Sequence, residues 1–135
     1  MKVIKIIPLL IALFIFQFGV SQERVHSKKQ IEKMLIDAGD SFFRIEIDKS
    51  LNLSKAALND AQRLKDDALM AKAYNVIGLN FEEFYDVNKS VIYYNNALSH
   101  AKRTSNDTIK DWIYNNLGNV YTFEKIDAKD RKSVV

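Results

Sequence analysis

From residue 28 onward, apolar and small residues recur at intervals of three, four and seven, the spacing that gathers side chains on one face of an α-helix. No stretch alternates with a period of two, and no proline follows Pro8. The pattern predicts five helices. Ser27 with Gln30 makes a capping-box start for a first helix over about 28–43. Asp48 is the expected N-cap of a second, over about 49–65, and Asp66 or Asp67 opens a third that reaches about residue 85. Asp86 or Asn88 opens a fourth that ends near Thr104. Ser105-Asn106-Asp107 then reads as a turn before a fifth, over about 108–125.

Two patterns repeat along these helices. Gly39, Gly78 and Gly118 share one frame: Leu35/Ala38/Gly39/Phe42, Tyr74/Ile77/Gly78/Phe81 and Tyr114/Leu117/Gly118/Tyr121. A glycine inside a helix costs about 1 kcal/mol relative to alanine, so three in one register predict close approach of a partner helix where no Cβ fits. Independently, Lys49-Ser50 through Arg63 aligns without gaps on Lys89-Ser90 through Arg103, an offset of 40 that pairs Ala57, Leu58 and Ala61 with Ala97, Leu98 and Ala101. Each unit is therefore a pair of helices, one centred on glycine and one on an Ala-Leu-x-x-Ala stripe, and the unit recurs.

The second unit, with Tyr74, Ile77, Gly78, Phe81, Ser90, Tyr94 and Ala97 in one frame, resembles the tetratricopeptide repeat. The first unit fits less well: its internal turn is one residue shorter and Ser54 stands where an aromatic is expected. Lys102 replaces the family's proline, and the period exceeds the family's usual length. The resemblance implies an all-α chain of tandem antiparallel helix hairpins forming a right-handed α-solenoid of about two and a half repeats, over about 28–66, 67–106 and an incomplete 107–129. It further implies a concave groove lined by the first helix of each pair. Those positions are Lys72, Asn75, Leu79, Glu82 and Glu83 in the second unit and Trp112, Asn115, Asn119, Thr122 and Phe123 in the third.

A protein or peptide ligand suits that set. Asn75 and Asn115 are the expected contacts to an extended backbone, and Trp112 is the expected apolar anchor. Lys72 is its single cation, so the basic clamp with which some family members grip a carboxylate is not reproduced. The alternative is that these side chains pack on neighbouring helices or face solvent.

The first 21 residues differ from the rest. Lys2 and Lys5 precede an apolar run from Ile6 to Phe16, and Gly19-Val20-Ser21 is small, as a signal peptidase requires. A signal peptide over 1–21 and a mobile mature N-terminus over 22–27 are expected, with an uncleaved membrane anchor as the alternative. That places the repeats in the periplasm, either free or anchored to the inner membrane. The absence of cysteine excludes a disulfide framework and a lipoprotein attachment site.

The formal charge of +3 shrinks on inspection: removing Lys2 and Lys5 from the 20 basic residues leaves 18 against 17 acids. A near-neutral chain without a basic face gives no footprint for nucleic acid. At the other end, Asp130 to Val135 departs from the repeat where a sixth helix is expected, near Lys129. One frame of a common sequencing adapter encodes the same six residues, so 130–135 is read as a non-native or truncated tail. A fifth helix bearing Trp112, Tyr114, Leu117, Tyr121 and Phe123 with nothing over them invites self-association.

Candidate chemistry is sparse. His26 and His100 have no metal-ligand spacing around them and are expected to be solvated or partly packed. Glu82, Glu83 and Asp86 form the densest acidic group. Neighbouring helical residues point about 100° apart, which argues for a groove-lining patch over a paired acid/base site. Phe81 and Tyr94 are expected in the core, with one or two of Phe84, Tyr85 and Tyr93 open to a partner. No phosphate loop, metal motif or cofactor motif is present. The expected function is a non-catalytic interaction module, similar to the periplasmic repeat segments of bacterial sensor proteins. A free-standing periplasmic scaffold or the accessory region of an enzyme are the alternatives.

Overall fold

A computed structural model describes residues 25–133; the expected signal peptide over 1–21, residues 22–24 and Val134-Val135 lie outside the described residues. Among the described residues there are five helices and no strand: α1 (Lys28–Phe43), α2 (Ile47–Leu64), α3 (Asp67–Glu83), α4 (Val87–Ala101) and α5 (Asp107–Ser133). None of them is long and apolar enough to cross a membrane.

Local chemistry sets most of the starts. Gln30 Oε1 accepts from the Ser27 N–H at 2.8 Å and from its hydroxyl at 2.9 Å. The Asp66 and Asp86 carboxylates accept from the N–H groups of Leu69, at 3.0 Å, and Lys89, at 3.1 Å, satisfying donors that a helix start leaves unpaired. The second helix departs from expectation: it begins after Glu46 with no side-chain cap bond, and Asp48 falls in its first turn.

The turns are not encoded in the usual way. Ile45, Lys65 and Tyr85 adopt the left-handed conformation, with φ of 63°, 54° and 58°, and none is glycine. Such a residue costs roughly 1–2 kcal/mol, most for β-branched Ile45. Packing of the returning helix offsets that cost. Helix α5 runs past the expected end near residue 125, through Asp130 to Ser133.

Consecutive helices pack in order, α1 on α2 through α4 on α5. In addition α1 touches α3 and α3 touches α5, whereas α2 and α4 make no contact with each other among the described residues. The odd-numbered helices therefore form one wall and the even-numbered ones splay apart behind it.

Two cores result. One joins Ile31 and Leu35 of α1, Ala57 and Ala61 of α2, and Leu69 and Ala73 of α3. The other joins Ala71 of α3, Ala97 and Ala101 of α4, and Ile109 and Ile113 of α5. Burial recurs at an offset of 40: Ser50, Ala57, Ala61, Leu69, Ala73 and Ile77 answer to Ser90, Ala97, Ala101, Ile109, Ile113 and Leu117, all buried. Tyr74 packs against both cores and joins them.

The glycine frame is only partly realised. A Cβ built on Gly78 would stand 2.6 Å from both Cδ1 and Cε1 of Tyr94, so that notch holds an aromatic ring. At Gly39 and Gly118 nothing lies within 4 Å of such a Cβ. The counterpart of Tyr94 in the first unit is Ser54, buried but too short to fill the space. A ring seated from the neighbouring helix, and not close approach of that helix's backbone, thus accounts for one glycine of the three.

Candidate functional site

Helices α1, α3 and α5 enclose a cavity of about 300 Å³. Leu35, Val76 and Ile109 give it an apolar lining. Glu32, Lys72, Asn75 and Trp112 supply polar atoms and an aromatic ring, and Trp112 is 53% exposed. The Asn75 carboxamide is oriented from the far side of the groove: its Oδ1 accepts from Asn116 Nδ2 at 2.9 Å, which leaves the Asn75 Nδ2 protons directed elsewhere.

Further along the same wall, Glu82 and Glu83 at the end of α3 meet Val120 and Phe123 of α5 and the turn residue Tyr85 around a second cavity of about 230 Å³. The two carboxylates differ. Glu82 Oε2 accepts from the Tyr94 hydroxyl at 2.7 Å, whereas no hydrogen bond or ion pair involves Glu83 among the described residues. Burial, then the Glu82 hydrogen bond and charge, hold the Tyr94 phenol well above its ordinary pKa, so it stays a donor to Glu82. Neither glutamate forms an ion pair with a lysine or arginine among the described residues.

Of the ten residues expected to line a groove, Lys72, Asn75 and Trp112 meet at the first cavity and Glu82, Glu83 and Phe123 at the second. The other four line neither. Leu79 packs against the second core, Asn115 and Asn119 face solvent, and the exposed Thr122 hydroxyl donates to the Gly118 carbonyl at 2.8 Å. Sequence reasoning missed Glu32 and Ile36, because the first unit matched its frame too weakly to be mapped, and Asn116, whose partner lies on another helix; Tyr85, named among the aromatics open to a partner but not among the groove positions, lines the second cavity.

The aromatic group divides as well. Tyr93 stacks on Phe81 at 5.1 Å between ring centroids, while Tyr85 is 86% exposed. Both histidines are held by carboxylates. His26 Nδ1 lies 2.5 Å from Asp60, and His100 Nδ1 lies 2.6 Å from Asp67 with its ring stacked on Tyr74. His26 therefore ties the segment before α1 to the buried Asp60 of α2. Among the described residues no group of three or more His, Asp or Glu side chains is gathered to hold a metal.

Compared with known proteins, the chain matches no family model, no curated protein and no solved structure. Its functional reading rests on the geometry above.

Proposed function

We propose that the chain is a non-catalytic interaction module, a tetratricopeptide-like right-handed solenoid that binds an extended peptide along the wall formed by α1, α3 and α5. The observation that supports this reading is the asymmetry of packing: the odd-numbered helices touch one another while α2 and α4 do not, as expected of an array that curves with its cavities on the inner side. An apolar floor with a few convergent polar groups is the usual make-up of a binding cleft. Asn75 supplies amide protons for a peptide carbonyl, and Trp112 supplies an anchor.

The test is selection of peptides from a random nonapeptide library on the immobilised full chain, followed by titration of the selected peptides against Trp112→Ala. Truncating a Trp anchor costs about 2 kcal/mol or more, so affinity should fall about thirtyfold. Failure to select any peptide, or equal affinity in the variant, overturns the reading.

The proposal includes export by residues 1–21. Fused to alkaline phosphatase lacking its own leader, they should confer activity in a Gram-negative host. An inactive fusion would remove the periplasmic assignment.

A further inference from the structure

The peptide-groove reading leaves the ligand's chemistry open, and the two cavities narrow it. The first is balanced in charge, with one carboxylate, Glu32, and one ammonium, Lys72, around an apolar floor. The second is acidic and aromatic: Glu82 and Glu83 stand with Tyr85 and Phe123, which are 86% and 70% exposed. An apolar side chain has nothing to gain from two carboxylates, one free of hydrogen bonds among the described residues and the other bonded only to the Tyr94 hydroxyl. A guanidinium gains from both components, because it pairs with a carboxylate through two N–H groups and stacks on aromatic faces. Lysine makes poorer use of the same ring pair, since its compact ammonium is more strongly hydrated.

Helical geometry sets the distance between the two subsites. Their lining residues are separated by about eight positions on α3 and about eleven on α5, or roughly 12–16 Å at 1.5 Å per residue. An extended peptide advances about 3.3 Å per residue, so that gap spans about four or five residues.

We propose that this wall selects extended peptide segments in which an apolar side chain, seated beside Trp112, is followed or preceded four or five positions away by an arginine held by Glu83, Glu82, Tyr85 and Phe123. Glu83 contributes most, since Glu82 already shares one oxygen with Tyr94. The inference rests on the peptide-groove reading and adds the requirement for a cation at a fixed spacing.

The nonapeptide selection on the full chain tests it, with the selected sequences aligned and their Arg→Gln counterparts titrated by fluorescence anisotropy. The expected result is enrichment of an apolar residue and arginine four or five positions apart. Replacing that arginine should weaken binding about tenfold. In Glu83→Gln the arginine preference should collapse while the apolar preference and the helical circular dichroism persist; Phe123→Ser gives a second route to the same loss. Peptides selected without a basic residue, or an arginine preference unchanged in both variants, would overturn this inference and leave peptide binding standing. Recovery of no peptide would overturn both.

Discussion

Alanine at Gly78 should destabilise the protein, although alanine is the better helix former. Helix propensity alone favours the substitution by about 1 kcal/mol, and Gly78 has no positive φ that would oppose it. The new methyl, however, would stand 2.6 Å from two carbons of the Tyr94 ring. That ring cannot give way cheaply: it is fully buried in the second core, and its hydroxyl is tied to Glu82 at 2.7 Å. Overpacking of this kind costs about 1–3 kcal/mol. The net expectation is a loss of up to about 2 kcal/mol.

Gly39→Ala and Gly118→Ala, with open space at the same point, should instead gain about 0.5–1 kcal/mol each. Urea unfolding followed by circular dichroism at 222 nm reads all three as midpoints at constant slope. A sharper version places Gly78→Ala in a Tyr94→Ala background. There the obstruction is gone and the glycine substitution should become stabilising, a reversal of sign that isolates the pairwise coupling. If Gly78→Ala matches or exceeds the parent in stability, or if its sign is unchanged without Tyr94, the packing account of this glycine is wrong.

Two further outcomes follow from buried and charged polar groups. Asn80 is fully buried and donates to Ser50 Oγ at 3.0 Å and to the Val76 carbonyl at 2.7 Å, while its Oδ1 has no partner. Ser50→Ala strands one of those protons and should cost about 1–3 kcal/mol, whereas Ser50→Ala with Asn80→Leu should recover most of the loss in the same urea assay.

Acid should weaken the helix starts. At Asp66 burial pushes the pKa up, but the Lys28 ammonium and the backbone N–H groups of Leu69 and Ala68 outweigh it; at Asp86 the Lys89 side chain and N–H hold the value down. Folded values below an unfolded value near 3.9 mean that the contribution is complete above that pH. It is lost as pH falls through the folded values. Urea midpoints measured between pH 6 and pH 2 should fall chiefly below about pH 4, and less steeply in Asp86→Asn.

The sequence by itself determined the class of structure and its period. Caps at Ser27, Asp66 and Asp86 act through hydrogen bonds within three residues, and the Ala-Leu-x-x-Ala stripe places small side chains on one helical face, so both were legible before any fold was known. The groove residues were legible in part and only through the resemblance, which implied Lys72, Asn75, Glu82 and Glu83 on α3 but did not say what faces them.

Tertiary structure alone decided the rest. Whether a glycine is a filled notch depended on the size of a residue on another helix, tyrosine at position 94 or serine at 54. Whether the chain could turn at Ile45 or Tyr85 depended on a returning helix to offset the left-handed backbone there. The division of the wall into a neutral and an acidic cavity arose only when α1, α3 and α5 were set side by side. Local signals travel through the backbone over one turn, whereas these contacts are fixed by side-chain volumes and charges that the chain brings together from dozens of residues apart.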